Sequence, residues 1–406
     1  MDASAPALAT APPLPGSAPV ATPRRRARFH PLTVAEVRPL TPDSIEVTFT
    51  VPPELRAAYD YQPGQYVALR AVVEGLERRR SYSICRPPQR GSATLPGAIS
   101  VGIKRDRGGI FSRWAHESLR PGDVVEVMSP EGLFTLRRDA QGVPLVAGRH
   151  IVGIAAGSGI TPIMALAQTV LSAAHDARFT LIYANRTAQD VMFLDELSDL
   201  KDRDPARFAL HHVLSREQRA APVLSGRLDA ERLDALLDTI VPTRQVDDWF
   251  LCGPIELVQL CRDTLAARGV SPDHVRFELF TAGTDRVGEP MPAAGAAGQV
   301  GEGGGGGASA NDDVRHIRFT LDGQTASVDT PVGAGESILN AALRVRPDVP
   351  FACAGGVCGT CRARLVEGEV SMDANFALEP EELERGFVLT CQSHPRSATV
   401  VVDYDV

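Results

Sequence analysis

Four cysteines near the end of the chain constrain its fold more than any other feature. Cys353, Cys358 and Cys361 are separated by four and two residues, and 29 residues separate Cys361 from Cys391. This is the plant-type spacing of a [2Fe–2S] site, in which thiolates complete the coordination of each iron. A zinc site with four cysteines usually pairs two short C-x2-C knuckles, and this cluster has one. The spacing therefore predicts an iron–sulfur cluster on these four ligands.

Composition and charge bound the class of protein. The chain has 406 residues, 44% hydrophobic and 23% charged, which is ordinary for a soluble globular protein. No apolar run reaches the roughly 18 residues that span a bilayer. The net charge of −8 argues against general nucleic-acid binding, and residues 313–406 hold 14 acidic and 8 basic side chains. This acidic last quarter predicts docking on a basic partner face, and a merely solvated surface is an equal interpretation.

Shifts in sequence pattern divide the chain into parts. We predict a disordered alanine- and proline-rich tail (1–28), an antiparallel β-barrel domain (29–142), a parallel α/β domain (143–280), a glycine-rich linker (281–312) and a final domain (313–406). Short β-type runs between Pro and Gly turns, among them Tyr66–Val73 and Val124–Met128, indicate the barrel. Apolar runs such as Phe208–Leu214 alternate with helix-length stretches, which indicates the parallel sheet. The tail lacks the charge order of a secretory signal, so a reducing cytoplasm is the expected compartment.

Two motifs in the predicted barrel indicate a flavin. Arg80, Tyr82 and Ser83 form an R-x-Y-S motif that follows a Pro-Gly-Gln-Tyr turn. A tyrosine can lie on the isoalloxazine ring, a serine hydroxyl can reach its N5, and an arginine can pair with phosphate. Gly109 and Ser112 open a predicted helix, whose first N–H groups suit a pyrophosphate. An edge strand with a surface arginine would also explain R-x-Y-S alone, but not this combination.

A glycine-rich turn and the end of a later strand predict a nicotinamide site. Residues 153–162 link a strand to a helix, and their glycines allow a dinucleotide phosphate to approach the helix N-terminus. Cys252, Gly253 and Pro254 end a later parallel strand, where open α/β sheets bind ligands. Packing alone is the alternative for the turn, and a small buried hydrophobe is the alternative for Cys252.

Two further positions are candidates for binding the 2′-phosphate that distinguishes NADPH from NADH. Ser215 and Arg216 follow one predicted strand, and Arg186 follows another. A hydroxyl and a guanidinium can both bind a phosphate. A surface salt bridge explains either arginine equally well.

Together these motifs resemble the ferredoxin–NADP reductase superfamily, and in particular its three-domain members. Residues 80–86, 153–162, 181–187 and 358–361 resemble most the family of reductase subunits of bacterial ring 1,2-phenylacetyl-CoA epoxidases. The stretch Met372–Pro380 contains N-F-A-L-E-P, which is similar to that family's N-[FY]-[AS]-L-E-P. An ordinary strand-to-helix connection is the alternative for this stretch.

The resemblance implies a fold and a set of residue roles. It implies a flavin-binding β-barrel, a nucleotide-binding parallel α/β domain and a β-grasp-type α+β ferredoxin domain. Catalytic roles are implied for Ser83, Cys252 and Glu278, with Cys252 near the nicotinamide and Glu278 near the flavin. The implied cofactor-binding residues are Arg80, Tyr82, Ser83, Gly109 and Ser112 for FAD, and Gly157 and Thr161 for the nucleotide. Their positions at strand ends, and not the resemblance, make Arg186, Ser215, Arg216, Gly253 and Pro254 further candidates for binding the nucleotide.

The resemblance also implies an electron path. NADPH, or alternatively NADH, would reduce FAD, FAD would reduce the [2Fe–2S] cluster, and the cluster would reduce the di-iron oxygenase subunits of a phenylacetyl-CoA epoxidase. The sequence lacks the Glu and Glu-x-x-His pairs of a di-iron bundle, so oxygen activation is expected in another subunit. The alternatives are a reductase for a ring or phenol hydroxylase and a non-catalytic assembly subunit.

Overall fold

The structure is a computed structural model that describes residues 28–88, 97–106, 108–280, 314–346, 349–351, 355–356, 359–375, 377–378 and 380–406. The predicted tail up to residue 27 and the predicted linker lie outside the described residues. Among the helices of the described segments, none is long and apolar enough to cross a membrane.

The first sheet is an antiparallel barrel, as predicted. Its elements are β1 (Phe29–Thr41), β2 (Ser44–Val51), β3 (Tyr66–Val73), β4 (Leu76–Ser83), β5 (Gly97–Lys104), α1 (Ile110–Ser118) and β6 (Val124–Met128). The strand order is β4-β3-β6-β1-β2-β5, and a bridge between Ile84 and Val101 joins the two ends of the sheet. Val47 and Phe49 alternate with more polar residues on β2 and are fully buried in the barrel core.

The second sheet is parallel, as the alternation of strands and helices predicted. Its elements are β7 (His150–Ala156), α2 (Ile160–Ala173), β8 (Arg178–Asn185), α3 (Leu194–Arg203), β9 (Phe208–Leu214), α4 (Ala230–Thr239), β10 (Asp248–Gly253), α5 (Ile255–Ala267) and β11 (Val275–Leu279). The order is β11-β10-β7-β8-β9. The chain adds β8 and β9 on one side of β7 and then β10 and β11 on its other side, so the strand order reverses between β7 and β10. Ligands bind at the carboxyl ends of strands at such a switch point.

The last domain is a mixed sheet that packs on a short helix. Its elements are β12 (Val314–Leu321), β13 (Gln324–Pro331), α6 (Ile338–Leu343), β14 (Arg362–Glu367), β15 (Val370–Met372), α7 (Pro380–Glu384), β16 (Phe387–Leu389), β17 (Ser393–Pro395) and β18 (Thr399–Asp403). The main sheet has the order β13-β12-β18-β14-β16, and β12 and β18 are parallel. This mixed α+β sheet agrees with the predicted fold class.

A buried carboxylate lies at the amino end of the parallel sheet, opposite the switch point. The Asp248 side chain is 4% exposed, and Arg137, Arg149 and Arg276 approach it at 3.4, 3.4 and 3.7 Å. His274 lies 3.4 Å away. Arg137 comes from the segment between the barrel and the sheet, so this cluster ties the two domains together.

Candidate active site

The three side chains predicted to act in catalysis meet between the barrel and the parallel sheet. Ser83, the last residue of β4, donates its hydroxyl hydrogen bond to Glu278 Oε2 at 3.0 Å. The Cys252 sulfur lies 3.9 Å from the same oxygen. Cys252 and Glu278 are register partners on β10 and β11, so adjacent strands hold them side by side. Ser83 and Cys252, far apart in the sequence, therefore both contact the Glu278 carboxylate.

The protonation state of Cys252 defines what this group can do. Burial raises the pKa of the Cys252 thiol well above its ordinary value, and the neighbouring Glu278 carboxylate raises it further. The sulfur is therefore a protonated thiol at neutral pH. It supplies a weak hydrogen-bond donor and not a nucleophile, because nucleophilic attack requires the thiolate.

A cleft of about 1660 Å³ opens between the barrel, the carboxyl edge of the parallel sheet and the last domain. Most of the predicted cofactor-binding residues line it. They are Arg80, Tyr82, Ser83, Gly109, Ser112, Gly157, Thr161, Arg186, Ser215 and Pro254. Gly253 and Arg216 do not line the cleft and directly precede or follow residues that do. The cleft brings the two predicted cofactor sites into one space.

The barrel wall of the cleft fits a flavin. The hydroxyl oxygen of Ser81 is buried in this wall and has no hydrogen-bond partner among the described residues. A buried polar atom of this kind is usually completed by a ligand or water. Arg80, Tyr82 and Ser83 would hold FAD here, and Tyr82 packs against Phe111 with ring centroids 6.1 Å apart. A bound flavin would accept hydride and release single electrons.

The start of α1 is built as a tight turn. Gly109 is its N-cap residue, and a Cβ there would lie 2.8 Å from Ser112 Oγ. Ser112 Oγ accepts a hydrogen bond from the Asp106 amide at 3.0 Å and donates one to the Gly109 carbonyl at 3.4 Å. The Ser112 hydroxyl thus holds the turn together, which leaves the N–H groups of the helix start for a pyrophosphate.

The turn after β7 brings the nucleotide side against the barrel. A Cβ on Gly159 would lie 2.2 Å from the Cys252 carbonyl oxygen, so only glycine fits there. Gly157 has φ +54 and its carbonyl accepts a hydrogen bond from the Tyr183 hydroxyl at 2.9 Å. A Cβ on Gly102 of the barrel would lie 2.6 Å from Thr161 Cγ2. The two domains therefore touch directly at the predicted nicotinamide position.

The predicted phosphate-binding arginines differ in their surroundings. Arg186 contacts Asp43 of the barrel at 3.2 Å and also forms an ion pair with Asp190. Arg216 is exposed and makes no ion pair with any described residue. Arg227, which was not among the predicted phosphate-binding residues, lines the same cleft as Ser215. No local motif marks Arg227, because it reaches the cleft from a loop after β9.

An ion network that the sequence analysis also missed fixes the barrel to the parallel sheet. Glu46 is 5% exposed and binds Arg86 at 2.6 Å and Arg38 at 2.6 Å. Glu196 on α3 binds Arg86 at 3.2 Å and also pairs with Arg38. Burial alone would raise the pKa of Glu46, but its hydrogen bonds with these arginines outweigh burial and lower it. Arg86 lies three residues after Ser83, so this network also positions the flavin-binding strand.

The described part of the predicted cluster site holds two of the four ligands. Cys361 and Cys391 are 2% and 9% exposed, whereas Cys353 and Cys358 lie outside the described residues. Thr390 donates its hydroxyl hydrogen bond to the Cys361 carbonyl at 2.9 Å, which brings the two cysteine segments together. Two shielded thiols held by main-chain contacts suit the thiolate ligands of an iron–sulfur cluster.

The Met372–Pro380 stretch packs on Gly356, which lies in the sequence between the predicted ligands Cys353 and Cys358. Asn375 Oδ1 accepts hydrogen bonds from the Ala377 and Leu378 amides at 3.2 and 2.8 Å, which closes a tight turn. A Cβ on Gly356 of the loop would lie 2.9 Å from the Ala374 carbonyl oxygen. The stretch therefore lies directly against Gly356; its residues 376 and 379 lie outside the described part of the chain.

Comparison with known proteins identifies the class. Family models match residues 31–136 as an oxidoreductase FAD-binding domain, 154–263 as an oxidoreductase NAD-binding domain and 319–396 as a 2Fe-2S iron-sulfur cluster binding domain. The fold and the cleft thus define a reductase that uses a nicotinamide nucleotide, FAD and a [2Fe–2S] cluster. One component of the 1,2-phenylacetyl-CoA epoxidase from Escherichia coli K12 is 40% identical over 93% of this chain and 98% of that component. The chain belongs to the family of phenylacetyl-CoA epoxidase reductase subunits, within the ferredoxin–NADP reductase superfamily.

Two further proteins are similar to this chain over nine-tenths of its length. The ferredoxin reductase component of 3-ketosteroid-9-alpha-monooxygenase from Mycobacterium tuberculosis is 33% identical over 92% of this chain and 95% of that component. Phthalate dioxygenase reductase has a similar fold, with a TM-score of 0.56 over 92% of this chain and 98% of that chain, at 22% identity.

Proposed function

We propose that this chain carries electrons from NADPH through FAD and the [2Fe–2S] cluster to the di-iron oxygenase subunits of a phenylacetyl-CoA epoxidase. The observation that carries the proposal is the hydrogen bond between Ser83 and Glu278, which both line the cleft, with the fully buried Cys252 sulfur 3.9 Å from the same carboxylate oxygen. We place the meeting of nicotinamide and flavin at Ser83 and Glu278, because a hydroxyl donor and a carboxylate acceptor there suit the alignment of two rings for hydride transfer. Family membership supports the choice of oxygenase.

A coupled assay tests the partner. The purified reductase, NADPH and the oxygenase subunits are expected to consume phenylacetyl-CoA, and the reductase alone is expected to leave it unchanged. A ring-hydroxylase or phenol-hydroxylase component is the control acceptor, because the relative from M. tuberculosis belongs to a different monooxygenase. Faster turnover with that control acceptor would contradict the assignment. A colourless protein, without flavin and cluster absorption, would instead favour an assembly subunit.

The proposed preference for NADPH rests on charge at the end of β9. Ser215 lines the cleft, and Arg216 beside it is exposed with no described carboxylate bound to it. Arg186 is a weaker candidate because Asp43 and Asp190 already bind its guanidinium. An unpaired guanidinium beside a hydroxyl is the better site for a 2′-phosphate.

Replacing Arg216 with glutamine is expected to lower kcat/KM for NADPH about 10- to 100-fold, the range for losing a hydrogen bond to a charged group. The value for NADH is expected to stay the same, because NADH lacks the 2′-phosphate. Steady-state kinetics with an artificial electron acceptor measure both values. Arg186→Gln is the matched control and is expected to have the smaller effect on NADPH. Equal losses for both nucleotides in Arg216→Gln would contradict this role.

The face of the last domain that we propose for docking on the oxygenase is acidic. The exposed carboxylates here are Glu381 and Glu384 on α7 and Asp373 of the Met372–Pro380 stretch. A basic oxygenase surface would be attracted to these charges, and the attraction would weaken as salt is added. The proposed compartment is the cytoplasm.

A further inference from the structure

A hydrogen bond joins the barrel directly to the segment that carries the cluster. The Tyr66 hydroxyl lies 2.6 Å from the Thr360 hydroxyl oxygen, and Thr360 is bonded to Cys361 in the chain. On the barrel side, Tyr66 on β3 is the register partner of Ser83 on β4. One side chain therefore spans the space between the flavin-binding strand and a predicted cluster ligand.

The Tyr66 ring is held in one position. Its backbone exchanges two hydrogen bonds with Glu131, both at 2.9 Å. Gly132 has φ +115, and a Cβ there would lie 3.1 Å from the Tyr66 ring, so the glycine leaves room for it. Tyr66 is 5% exposed. A side chain fixed this tightly loses little further freedom when its hydroxyl binds the last domain.

A second contact to the last domain comes from β4, the strand paired with β3. The Arg79 guanidinium is 4.5 Å from the centroid of the Phe351 ring in the last domain. Arg79 is 5% exposed and Phe351 is 8% exposed, so the contact is shielded from water. A desolvated cation–π contact is stronger than an exposed one. Two contacts, one polar and one cation–π, fix the orientation as well as the distance of the last domain.

We propose that Tyr66, through its hydrogen bond to Thr360, is the positioning residue for electron transfer from the flavin to the cluster, and that Arg79 on Phe351 is its second anchor. This inference rests on the proposed electron path. Each hydride carries two electrons and one proton. Two successive one-electron transfers to the cluster return the flavin to its oxidised form, and the proton passes to solvent. The oxygenase partner takes each electron from the reduced cluster.

The test uses the anaerobic holoenzyme mixed rapidly with NADPH. Flavin bleaching and the appearance of the reduced-cluster EPR signal give two rates, and their ratio isolates the second transfer. Tyr66→Phe is expected to lower the ratio of cluster reduction to flavin reduction about tenfold, which corresponds to about 1.4 kcal/mol. Tyr59→Phe is the matched control, because the Tyr59 hydroxyl donates an equally short bond of 2.6 Å to Val127 inside the barrel core. It is expected to keep the wild-type ratio.

Two variants on the other side of the bond keep the proposal testable if Tyr66→Phe folds poorly. Thr360→Val is expected to reproduce the loss, and Thr360→Ser is expected to restore the wild-type ratio because it keeps the hydroxyl. Hydrogen exchange of the resting oxidised protein gives a readout without turnover: residues 359–365 are expected to exchange faster in Tyr66→Phe and Thr360→Val.

Wild-type ratios in both Tyr66→Phe and Thr360→Val would overturn the proposal, and so would an equal loss in Tyr59→Phe. A wild-type protein whose cluster is never reduced by NADPH would instead refute the proposed electron path.

Discussion

Replacing Ser83 with alanine is expected to slow the reduction of FAD by NADPH about 10²-fold, the effect of displacing reacting groups by about 1 Å. The variant removes the hydroxyl that binds Glu278 at 3.0 Å and would face the flavin. The groups proposed to bind NADPH are other residues of the cleft, so KM is expected to change less than kcat. Anaerobic stopped-flow absorbance measures the reduction step directly.

The matched control for Ser83→Ala is Ser100→Ala. Ser100 is a buried serine on the neighbouring part of the barrel, and its hydroxyl binds the Thr48 hydroxyl at 2.9 Å, away from the cleft. Its loss is expected to affect stability and to leave the reduction rate unchanged. If both variants reduced FAD as fast as the wild type, Ser83 would have no role in hydride transfer.

Replacing Asp248 with asparagine is expected to destabilise the nucleotide-binding domain by about 3 kcal/mol, the lower end of the range for breaking a buried ion pair. The variant keeps the shape of the side chain and leaves three arginines around a neutral group. The lower end applies because these arginines are partly exposed, which lets water screen their repulsion.

Urea unfolding followed by tryptophan fluorescence measures this loss. The chain has two tryptophans, and Trp249 is buried next to Asp248. A Trp114→Phe background therefore reports on this domain alone. Asp273→Asn is the matched control: Asp273 is exposed and accepts the Arg137 bond through its main-chain carbonyl. The same urea midpoint in Asp248→Asn and Asp273→Asn would contradict the prediction.

The sequence predicted the regular parts of the fold where apolar periodicity is strong. The strands Tyr66–Val73, Val124–Met128 and Phe208–Leu214 have the predicted bounds. The bounds of strands β1 and β4 were not predicted, because prolines interrupt the first and four charged residues lie in the second. Periodicity detects a strand only when one face is apolar.

For the candidate site, local motifs located the cleft but not the contacts across it. Residues of R-x-Y-S and of the glycine-rich turn line one cleft. Each motif is continuous in sequence, so each can be recognised without knowledge of the fold. The bond between Tyr66 and Thr360 and the ion pair between Arg186 and Asp43 join residues 294 and 143 positions apart. Nothing local in the sequence distinguishes a charged residue that crosses a domain boundary from one that faces water.

The protonated thiol of Cys252 has a consequence for the resistance of the protein to oxidation. Peroxide oxidises cysteine through its accessible thiolate, and the first product is a sulfenic acid. Cys252 is fully buried, and its pKa is raised by burial and by the Glu278 carboxylate, so it offers peroxide neither access nor charge. A reductase that feeds an oxygenase can therefore keep a sulfur atom beside the proposed hydride-transfer site without losing that sulfur to oxidative damage.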